Sequence, residues 1–383
     1  MKKRVLITFV EAGQGHIVTA EAIANGLEKL YGDSVEVIRD YIFRDSGDKD
    51  LIKYEKFLVK EVKRSNKNPL HLGFQCVAMK LFTEVGTLNF TYNTVFRKVK
   101  NKIIKHFEEI NPDVIVSTHF CPSHFAACAK KKGKLQNTKI VTYDPDPNVH
   151  GWWTREGDLF ITNNDKATEE AISKKHFKKE TVKQVNFITR ESVVNTTESK
   201  DFYREKYGFP KDNFTVVLAD GAYASANLER FTDELLKSNI NLTIIPIAGK
   251  NEKVLNKYNA LSSKTKPNIV LRPFPFVSDV QEIYRAADLF ITKAGPNAIL
   301  DSIFMGTPVL TNFYSGPIEK ATNDLFVNHY KVGLFCKDAK KAKLLVEDFA
   351  NNKEKLKPYI ENTKQFNPQQ NGADEIAKII AEL

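Results

Sequence analysis

The sequence predicts an α/β protein built from two doubly wound domains, and three observations support this fold class. The 383 residues exceed the roughly 250–300 at which a single hydrophobic core usually stops growing. Short β-branched runs alternate with helical runs in both halves, as in parallel sheets with crossover helices. The polar segment Thr189–Asn213 carries no strand-like run, so we place the linker there, between domains of residues 1–195 and 196–383.

Two series of β-branched runs predict the strands. In the first domain they are Val5–Val10, Val35–Asp40, Val114–Thr118, Ile140–Tyr143, Leu159–Thr162 and Val182–Phe187. In the second domain they are Phe214–Ala219, Leu242–Ala248, Ile269–Arg272, Leu289–Thr292 and Val309–Asn312. Each series is long enough to form one doubly wound sheet.

The composition is that of an ordinary globular protein, with 42% hydrophobic and 27% charged residues. No apolar run reaches the ~18 residues that a membrane-spanning helix needs. The stretch Val5–Val10 is too short for a signal sequence, so we expect a cytosolic protein. The four cysteines lack the spacing of metal ligands, so we expect no metal site.

The positive charge is concentrated in one segment, Leu51–Phe107, where twelve Lys or Arg stand against three acidic residues in a chain of net charge +10. Such a field predicts an anionic partner, either a membrane surface or nucleic acid. The C-terminal part of this segment predicts a helix. Its apolar face consists of Tyr92, Val95, Phe96, Val99, Ile103, Ile104 and Phe107, and its basic face of Arg97, Lys98, Lys100, Lys102 and Lys105. We favour a crossover helix packed on its sheet over an interfacial helix. The upstream piece Leu70–Phe90 is a better candidate for contact with lipid.

The first strand is followed by Gly13, Gln14, Gly15 and His16. Glycines at a strand-to-helix turn let a ligand approach the backbone. A dinucleotide-binding turn would need a third glycine where Val18 stands, and no P-loop lysine follows, so both nucleotide motifs are disfavoured. His16 is a candidate general base, with capping of the local backbone as the alternative.

In the second half a predicted strand runs into Gly295 and Pro296 and then a helix. Proline at the first helical position leaves free N–H groups that favour an anion such as a diphosphate. Asp301, a turn and a half into the helix, could accept hydrogen bonds from ribose hydroxyls. Lys293 and the turn of Gly249 and Lys250 add positive charge at the same edge. The alternative is a strand-to-helix turn with ordinary capping.

The string Thr292–Ser302 resembles the nucleotide-sugar motif of the monogalactosyldiacylglycerol synthase group of glycosyltransferase family 28, which includes processive diacylglycerol glucosyltransferases. Further segments similar to the family are Gly13–His16, Asp113–His119, Ile140–Trp153, Phe276–Asp288 and Gly306–Val309. The resemblance implies a GT-B fold of two facing Rossmann-like domains, with a lipid acceptor on the first and a UDP-sugar on the second. The implied reaction is inverting transfer of a hexose to a membrane lipid, with diacylglycerol as the expected acceptor, at the cytoplasmic membrane face. No cofactor or metal is implied, and nucleic acid is not an expected partner.

The resemblance also assigns site residues. His16 becomes the base, Gly295, Pro296 and Asn297 the diphosphate contacts, Asp301 the ribose contact, Phe276 and Val277 the uracil contacts, and Glu319 and Asn323 the sugar contacts, with Gly249, Lys250 and Lys293 nearby. The acceptor side takes Gly13, Gly15, His119, Asp144, His150 and Trp153. The chain departs from the family at four positions, where the family usually has Glu in place of Asp301, Gln in place of Ile318, Arg in place of Lys250 and Pro in place of Phe120. It also inserts residues at 144–146. The identity of the transferred sugar therefore stays open.

Other functions stay open at this point. They are a transferase that uses UDP-N-acetylglucosamine and another lipid, a UDP-sugar 2-epimerase or hydrolase, a sugar-nucleotide binding protein without activity, and a nucleic-acid binding protein. The basic segment argues against the epimerase, and His16 with Asp301 argues against an inactive protein. No nucleic-acid-binding motif accompanies the charge.

Overall fold

The computed structural model describes residues 2–10, 14–67, 90, 93–94, 96–221, 224–314 and 316–383. Gly13 and residues 70–89 of the predicted lipid-contacting piece therefore lie outside the described residues. The chain forms two compact units, one of Met1–Ile188 with Asn371–Leu383 and one of Thr189–Gln370.

The first unit contains a parallel sheet in the order β2-β1-β3-β4-β5-β6. Its strands are β1 (Lys3–Phe9), β2 (Val35–Tyr41), β3 (Val114–Ser117), β4 (Lys139–Tyr143), β5 (Leu159–Thr162) and β6 (Val182–Gln184). Its helices are α1 (Gln14–Tyr31), α2 (Lys49–Lys67), α3 (Arg97–Ile110), α4 (Phe120–Lys131), α5 (Asp165–Ser173) and the C-terminal helix Gly372–Glu382. All the strands predicted in this half are present.

One face of this sheet is covered by α1 together with the C-terminal helix, whose side chains Ile376, Ala377 and Ile380 are fully buried. The backbone N–H of Gly372 donates to the carbonyl of Phe187 at 3.1 Å, which fixes the place where the end of the chain returns to the first unit. The predicted boundary, which gave residues 196–383 to the second domain, is therefore corrected at the C-terminus. The apolar stripe of a helix indicates that it packs on a sheet, but not on which sheet.

The opposite face is covered by α3 and α4. Ile103 and Phe107 of α3 are fully buried in the core of this face. Lys100 on the predicted basic face is also buried, at 2% exposure, and Lys102 lies 2.7 Å from Asp50 in α2. The crossover-helix interpretation of this segment is thus confirmed, and its basic face is partly used within the fold.

A buried polar contact links α3 to the sheet. Asp40, at the end of β2, accepts a hydrogen bond from Thr8 Oγ1 at 2.9 Å and lies 2.9 Å from His106 Nε2. Burial lowers the pKa of His106, but the hydrogen bond and charge of Asp40 outweigh it, so the pKa is raised. The fold therefore favours protonation of His106, and the protonated form would strengthen the link between this helix and the sheet.

The second unit has a parallel sheet in the order β10-β8-β7-β11-β12-β13, with β9 also paired to β8. Its strands are β7 (Phe214–Ala219), β8 (Leu242–Gly249), β9 (Ile269–Leu271), β10 (Phe274–Pro275), β11 (Leu289–Lys293), β12 (Val309–Phe313) and β13 (Gly333–Phe335). The short strands β10 and β13 were not predicted.

The helices of the second unit are α6 (Glu191–Val194), α7 (Lys200–Lys206), α8 (Ala226–Leu235), α9 (Glu252–Ser262), α10 (Val280–Ala286), α11 (Pro296–Phe304), α12 (Pro317–Asn323), α13 (Ala339–Asn351) and α14 (Lys357–Thr363). The predicted linker Thr189–Asn213 contains α6 and α7 and belongs to this unit. Buried Arg204 of α7 lies 2.6 Å from Asp288, just before β11. The segment is polar because its charges pair inside the unit, so the linker assignment is corrected.

The strand order marks a crevice in each unit. The chain winds outward in opposite directions from β1 and β3 in the first sheet, and from β7 and β11 in the second. In doubly wound sheets, ligands bind at the carboxyl ends of strands at such switch points. Among the described residues, no helix combines the length and apolar character needed to cross a membrane.

Candidate functional site

His16 lies at the switch point of the first sheet, in the first turn of α1. Its Nδ1 is 2.6 Å from the carbonyl oxygen of Thr118, which follows β3, and Thr118 Oγ1 donates back to the carbonyl of His16 at 3.1 Å. A carbonyl can only accept, so Nδ1 carries the proton in this contact. A neutral imidazole held this way presents Nε2 with its lone pair, as a general base requires.

His119 packs its ring against His16, with ring centroids 5.0 Å apart in an edge-to-face arrangement. Its Nδ1 accepts a hydrogen bond from the backbone N–H of Cys121 at 3.2 Å, which caps α4. Burial, with a smaller effect from His16, lowers the pKa of His119 well below its usual value. Burial therefore favours the neutral form of His119 beside His16.

A row of aromatic rings continues from these histidines along the carboxyl edge of the sheet. Phe120 stacks on His119 at 4.3 Å, Trp152 lies 5.6 Å from Phe120, and His150 lies 4.5 Å from Trp152. The predicted acceptor residues His119 and His150 are thus joined by two rings that sequence reasoning did not assign to the site. The row gives the edge an apolar wall next to the His16 imidazole.

Asp144 follows β4 and is 1% exposed. One carboxylate oxygen accepts from the N–H of Asp146 at 3.0 Å. Burial first, and the Asp146 charge second, raise the pKa of Asp144 well above its usual value, while hydrogen bonds from the Asp146 backbone and the Trp153 side chain act in the opposite direction. Two polar groups of the predicted acceptor side, the Asp144 carboxylate and the Trp153 indole N–H, are thus buried next to each other.

Gly15 is exposed, and a Cβ built there meets no atom within 4 Å among the described residues. The first turn of α1 therefore has open space at Gly15, the residue before His16, as far as the described residues go.

In the second unit, α11 begins at the carboxyl end of β11 without a side-chain cap among the described residues. Gly295 occupies the N-cap position and Pro296 the first helical position, so Asn297 is the first residue with an N–H inside the helix. The neighbouring helix α12 begins in the same way, with Gly316 before Pro317. Unbonded amides and the helix dipole create positive potential at this edge of the sheet.

Lys293 ends β11, and its Nζ lies 2.8 Å from Glu319 Oε1. A Cβ at Gly221 or Gly295 would lie 4.0 or 3.9 Å from Lys293 Cε, so the lysine stem passes close to both backbones. Lys293 and Glu319, predicted from separate motifs, are therefore brought together. An ammonium next to uncapped helix starts suits a bound diphosphate.

Asp301 is 7% exposed and is held by Arg190, whose Nε lies 3.3 Å from Oδ1 and whose Nη2 contacts Oδ2. Burial raises the pKa of Asp301 to about 6, although Arg190 acts in the opposite direction. Sequence reasoning missed Arg190 because it lies in the segment taken for a linker. In this structure the proposed ribose contact is thus occupied by a guanidinium.

Asn323 ends α12 and is buried, and its Oδ1 accepts from Thr311 Oγ1 at 2.6 Å. This bond pins α12 to β12. Asn323 lies one helical turn after Glu319, on the same face of α12.

The predicted uracil contacts directly follow the edge strand β10. Pro275 of β10 pairs with Gly249 of β8, which brings Lys250 Nζ to 5.8 Å from the Phe276 ring centroid. Phe276 is 57% exposed, and Val277 is partly buried beside it. Because β7 alone separates β8 from β11, Lys250 lies roughly 10 Å from the start of α11 along the sheet, and Phe276, which follows the next strand out, lies roughly 14 Å from it. That spacing suits a base and a diphosphate of one nucleotide.

The chain matches two family models. The glycosyltransferase family 28 C-terminal domain matches residues 166–378, and monogalactosyldiacylglycerol (MGDG) synthase matches residues 16–185.

Curated relatives cover most of the chain. A probable monogalactosyldiacylglycerol synthase of Glycine max is 26% identical over 375 residues, 94% of this chain and 68% of that protein. Monogalactosyldiacylglycerol synthase 3 of Arabidopsis thaliana is 26% identical over 374 residues, with 94% and 77% covered.

Among solved structures, MurG of Acinetobacter baumannii superposes with a TM-score of 0.66 at 12% identity, covering both chains completely. UGT89C1 of Arabidopsis thaliana, complexed with UDP-L-rhamnose, gives a TM-score of 0.59 at 12% identity, with 100% and 99% covered. These likenesses confirm the GT-B fold that the sequence predicts. Since the family 28 model alone matches more than half of the 383 residues, the chain belongs to glycosyltransferase family 28 and is a glycosyltransferase.

Proposed function

We propose that this glycosyltransferase moves a hexose from a UDP-sugar to the hydroxyl of a membrane lipid, with diacylglycerol as acceptor and inversion at the anomeric carbon. The observation that carries the proposal is the uncapped start of α11 next to Lys293. A diphosphate is the ligand whose charge and shape match free amides beside an ammonium. The names of the curated relatives support a glycolipid product.

On the donor side, the diphosphate contacts the amides at the start of α11 and the ammonium of Lys293. The uracil lies against Phe276 and Val277. The carboxylate of Asp301 accepts hydrogen bonds from the ribose. Arg190, which holds that carboxylate in the described structure, adds positive charge beside the ribose contact. Preorganised positive charge stabilises the UDP that leaves as the glycosidic bond forms.

On the acceptor side, His16 Nε2 takes the proton of the lipid hydroxyl while the hydroxyl oxygen attacks the anomeric carbon. The bond from that carbon to the UDP oxygen breaks, and the electron pair leaves with UDP. The Thr118 carbonyl, 2.6 Å from Nδ1, keeps the imidazole in the tautomer that can accept the proton and then stabilises the imidazolium. The aromatic row of His119, Phe120, Trp152 and His150 suits the apolar part of a lipid next to this base.

The exposed side of α2 supports contact with an anionic membrane. Lys53, Lys56, Phe57 and Lys60 are exposed and follow the i, i+3, i+4, i+7 pattern of one helix face, and Phe57 is 56% exposed. Each lysine near an anionic leaflet contributes about 1 kcal/mol, and the phenyl ring can enter the interface. The lipid acceptor would be met at such a surface.

The proposal is tested by supplying UDP-galactose, UDP-glucose and UDP-N-acetylglucosamine, each radiolabelled in the sugar, with and without diacylglycerol in anionic vesicles. Label in the lipid fraction that depends on diacylglycerol supports the proposal, and the donor that gives it identifies the sugar. Free sugar and UDP released at the same rate without lipid would indicate a hydrolase. A 2-epimerised sugar nucleotide would indicate an epimerase. Binding of duplex DNA in preference to anionic vesicles would contradict the membrane part.

A further inference from the structure

Asp220 is a carboxylate at the donor edge of the second sheet that has no part in the reaction described above. It follows β7 directly and is 8% exposed. Ala219 pairs with Thr292 in the neighbouring strand β11, so Asp220 stands beside Lys293. It therefore lies at the switch point of the sheet, where the diphosphate is proposed to bind.

The contacts of Asp220 connect three elements. Ser225 Oγ donates a hydrogen bond to Asp220 Oδ2 and accepts from the backbone N–H groups of Asn227 at 3.1 Å and Leu228 at 3.4 Å. Ser225 is thus the N-cap of α8 and is itself held by Asp220. Burial raises the pKa of Asp220, while Ser225 and the backbone N–H and ammonium of Lys293 act in the opposite direction. The carboxylate joins the end of β7 to the start of α8 and the end of β11.

A second negative charge at this place is unfavourable for anion binding. Lys293 is already paired with Glu319 at 2.8 Å, and a diphosphate would be repelled by an additional nearby carboxylate. Asp220 is also costly for folding, because burial disfavours its charged form. The hydrogen bonds that Asp220 makes to α8 and β11 offset these two costs.

We propose that Asp220 is a positioning residue of the donor site, which fixes the end of β11 and the Lys293 side chain beside the start of α11. The inference rests on the proposed function, because Lys293 matters only if a diphosphate binds there. Asp220 acts mainly through its hydrogen bonds. An asparagine, whose Oδ1 can still accept the hydrogen bond of Ser225 Oγ, should replace it, whereas an alanine, which accepts none, should not.

The test compares Asp220→Ala and Asp220→Asn with the wild-type protein, by calorimetric binding of UDP and by the donor KM and kcat. Asp220→Ala is expected to raise the Kd for UDP and the donor KM about tenfold, with kcat changed less than about threefold. For Asp220→Asn, the Kd for UDP and the donor KM should stay within about threefold of wild type. Asp288→Asn is the matched control, because Asp288 is a partly buried carboxylate at the opposite end of β11 that pairs with Lys200 and Arg204. It is expected to lower the unfolding midpoint without changing the Kd for UDP.

Three results would overturn the inference. They are an unchanged Kd in Asp220→Ala, an Asp220→Asn variant as weak as Asp220→Ala, or an equal rise of the Kd in Asp288→Asn. If Asp220→Ala does not fold, Ser225→Ala breaks the same link at α8, and an unchanged Kd there is equally contrary. A wild-type protein that binds neither UDP nor a UDP-sugar refutes the proposed function and this inference together. Wild-type binding with indifferent variants refutes the inference alone.

Discussion

Replacing Asp301 by asparagine should make the protein more stable at neutral pH. Burial raises the pKa of this carboxyl from its ordinary 3.8 to about 6, even with Arg190 beside it. A difference of that size corresponds to about 3 kcal/mol between the two protonation states. Because the folded-state pKa is the higher one, the contribution to stability is present below pH 3.8 and is lost as the pH rises through about 6. The uncharged Asp301→Asn does not lose it.

The assay is urea unfolding of the wild-type protein and Asp301→Asn at pH 4.5, 6 and 7.5. The difference in unfolding free energy should be about 1 kcal/mol in favour of the variant at pH 4.5 and should grow to about 3 kcal/mol at pH 7.5. Asp288→Asn provides the opposite case. Burial would raise the pKa of Asp288, but Lys200 and Arg204 outweigh it and lower the pKa. That variant should lose stability, and most strongly at neutral pH.

A difference between Asp301→Asn and wild type that does not change with pH would refute the electrostatic reasoning, and so would a loss of stability at pH 7.5. The same variant should bind UDP more weakly, because an amide is a poorer acceptor for the ribose hydroxyls than a carboxylate. A gain in stability combined with a loss of binding would be the expected signature of a site residue.

Further predictions concern the base, a helix contact and the membrane surface. His16→Ala should lower kcat by about 10²- to 10⁴-fold while the unfolding midpoint stays close to wild type. The control is His176→Asn, which should keep its activity because His176 lies in a left-handed turn that asparagine tolerates. Wild-type turnover in His16→Ala would refute the assignment of His16 as the base. His106 has a raised pKa, so its contribution to stability is present below pH 6.5 and is lost as the pH rises through the folded-state value. His106→Gln should therefore show a smaller fall in unfolding temperature between pH 6 and pH 9 than wild type, and parallel curves would contradict this. Lys53→Gln combined with Lys56→Gln should lower the affinity for anionic vesicles, measured by sedimentation, by roughly 30-fold. Lys357 and Lys364, exposed at the two ends of α14, serve as the control pair. An equal loss of affinity in the control would mean that total charge, and not this face of α2, directs binding.

The sequence predicts the strands of both sheets well because each buried parallel strand is a continuous β-branched run with a helix after it. It also predicts the helix starts near Gly15 and Gly295, because glycine, and at the second position proline, marks such a start in the local sequence. The C-terminal helix was placed in the wrong domain because the sheet it covers is not encoded in its own pattern. The contact of Arg190 with Asp301 joins residues far apart in the chain, so no local signal reveals it.

Five buried or partly buried acids with a shifted pKa separate by the end of the sheet at which they lie. Asp158 and Asp288 precede β5 and β11, at the amino ends of the strands. Against the effect of burial, the pKa of Asp158 is lowered by the backbone N–H of Ile140 and by Lys130, and that of Asp288 by Lys200 and Arg204. Asp144 and Asp220 follow β4 and β7, at the carboxyl ends, and Asp301 lies on a helix that begins there; burial raises the pKa of all three. The first group adds stability at neutral pH, while the second costs stability in the absence of a ligand. Groups that cost stability are expected where binding or catalysis compensates for them. The two sheets therefore point to the same edge for function, and neutral substitutions of Asp144 and Asp301 should stabilise the protein as they weaken binding or turnover, whereas Asp220→Asn should stabilise it with UDP binding close to wild type.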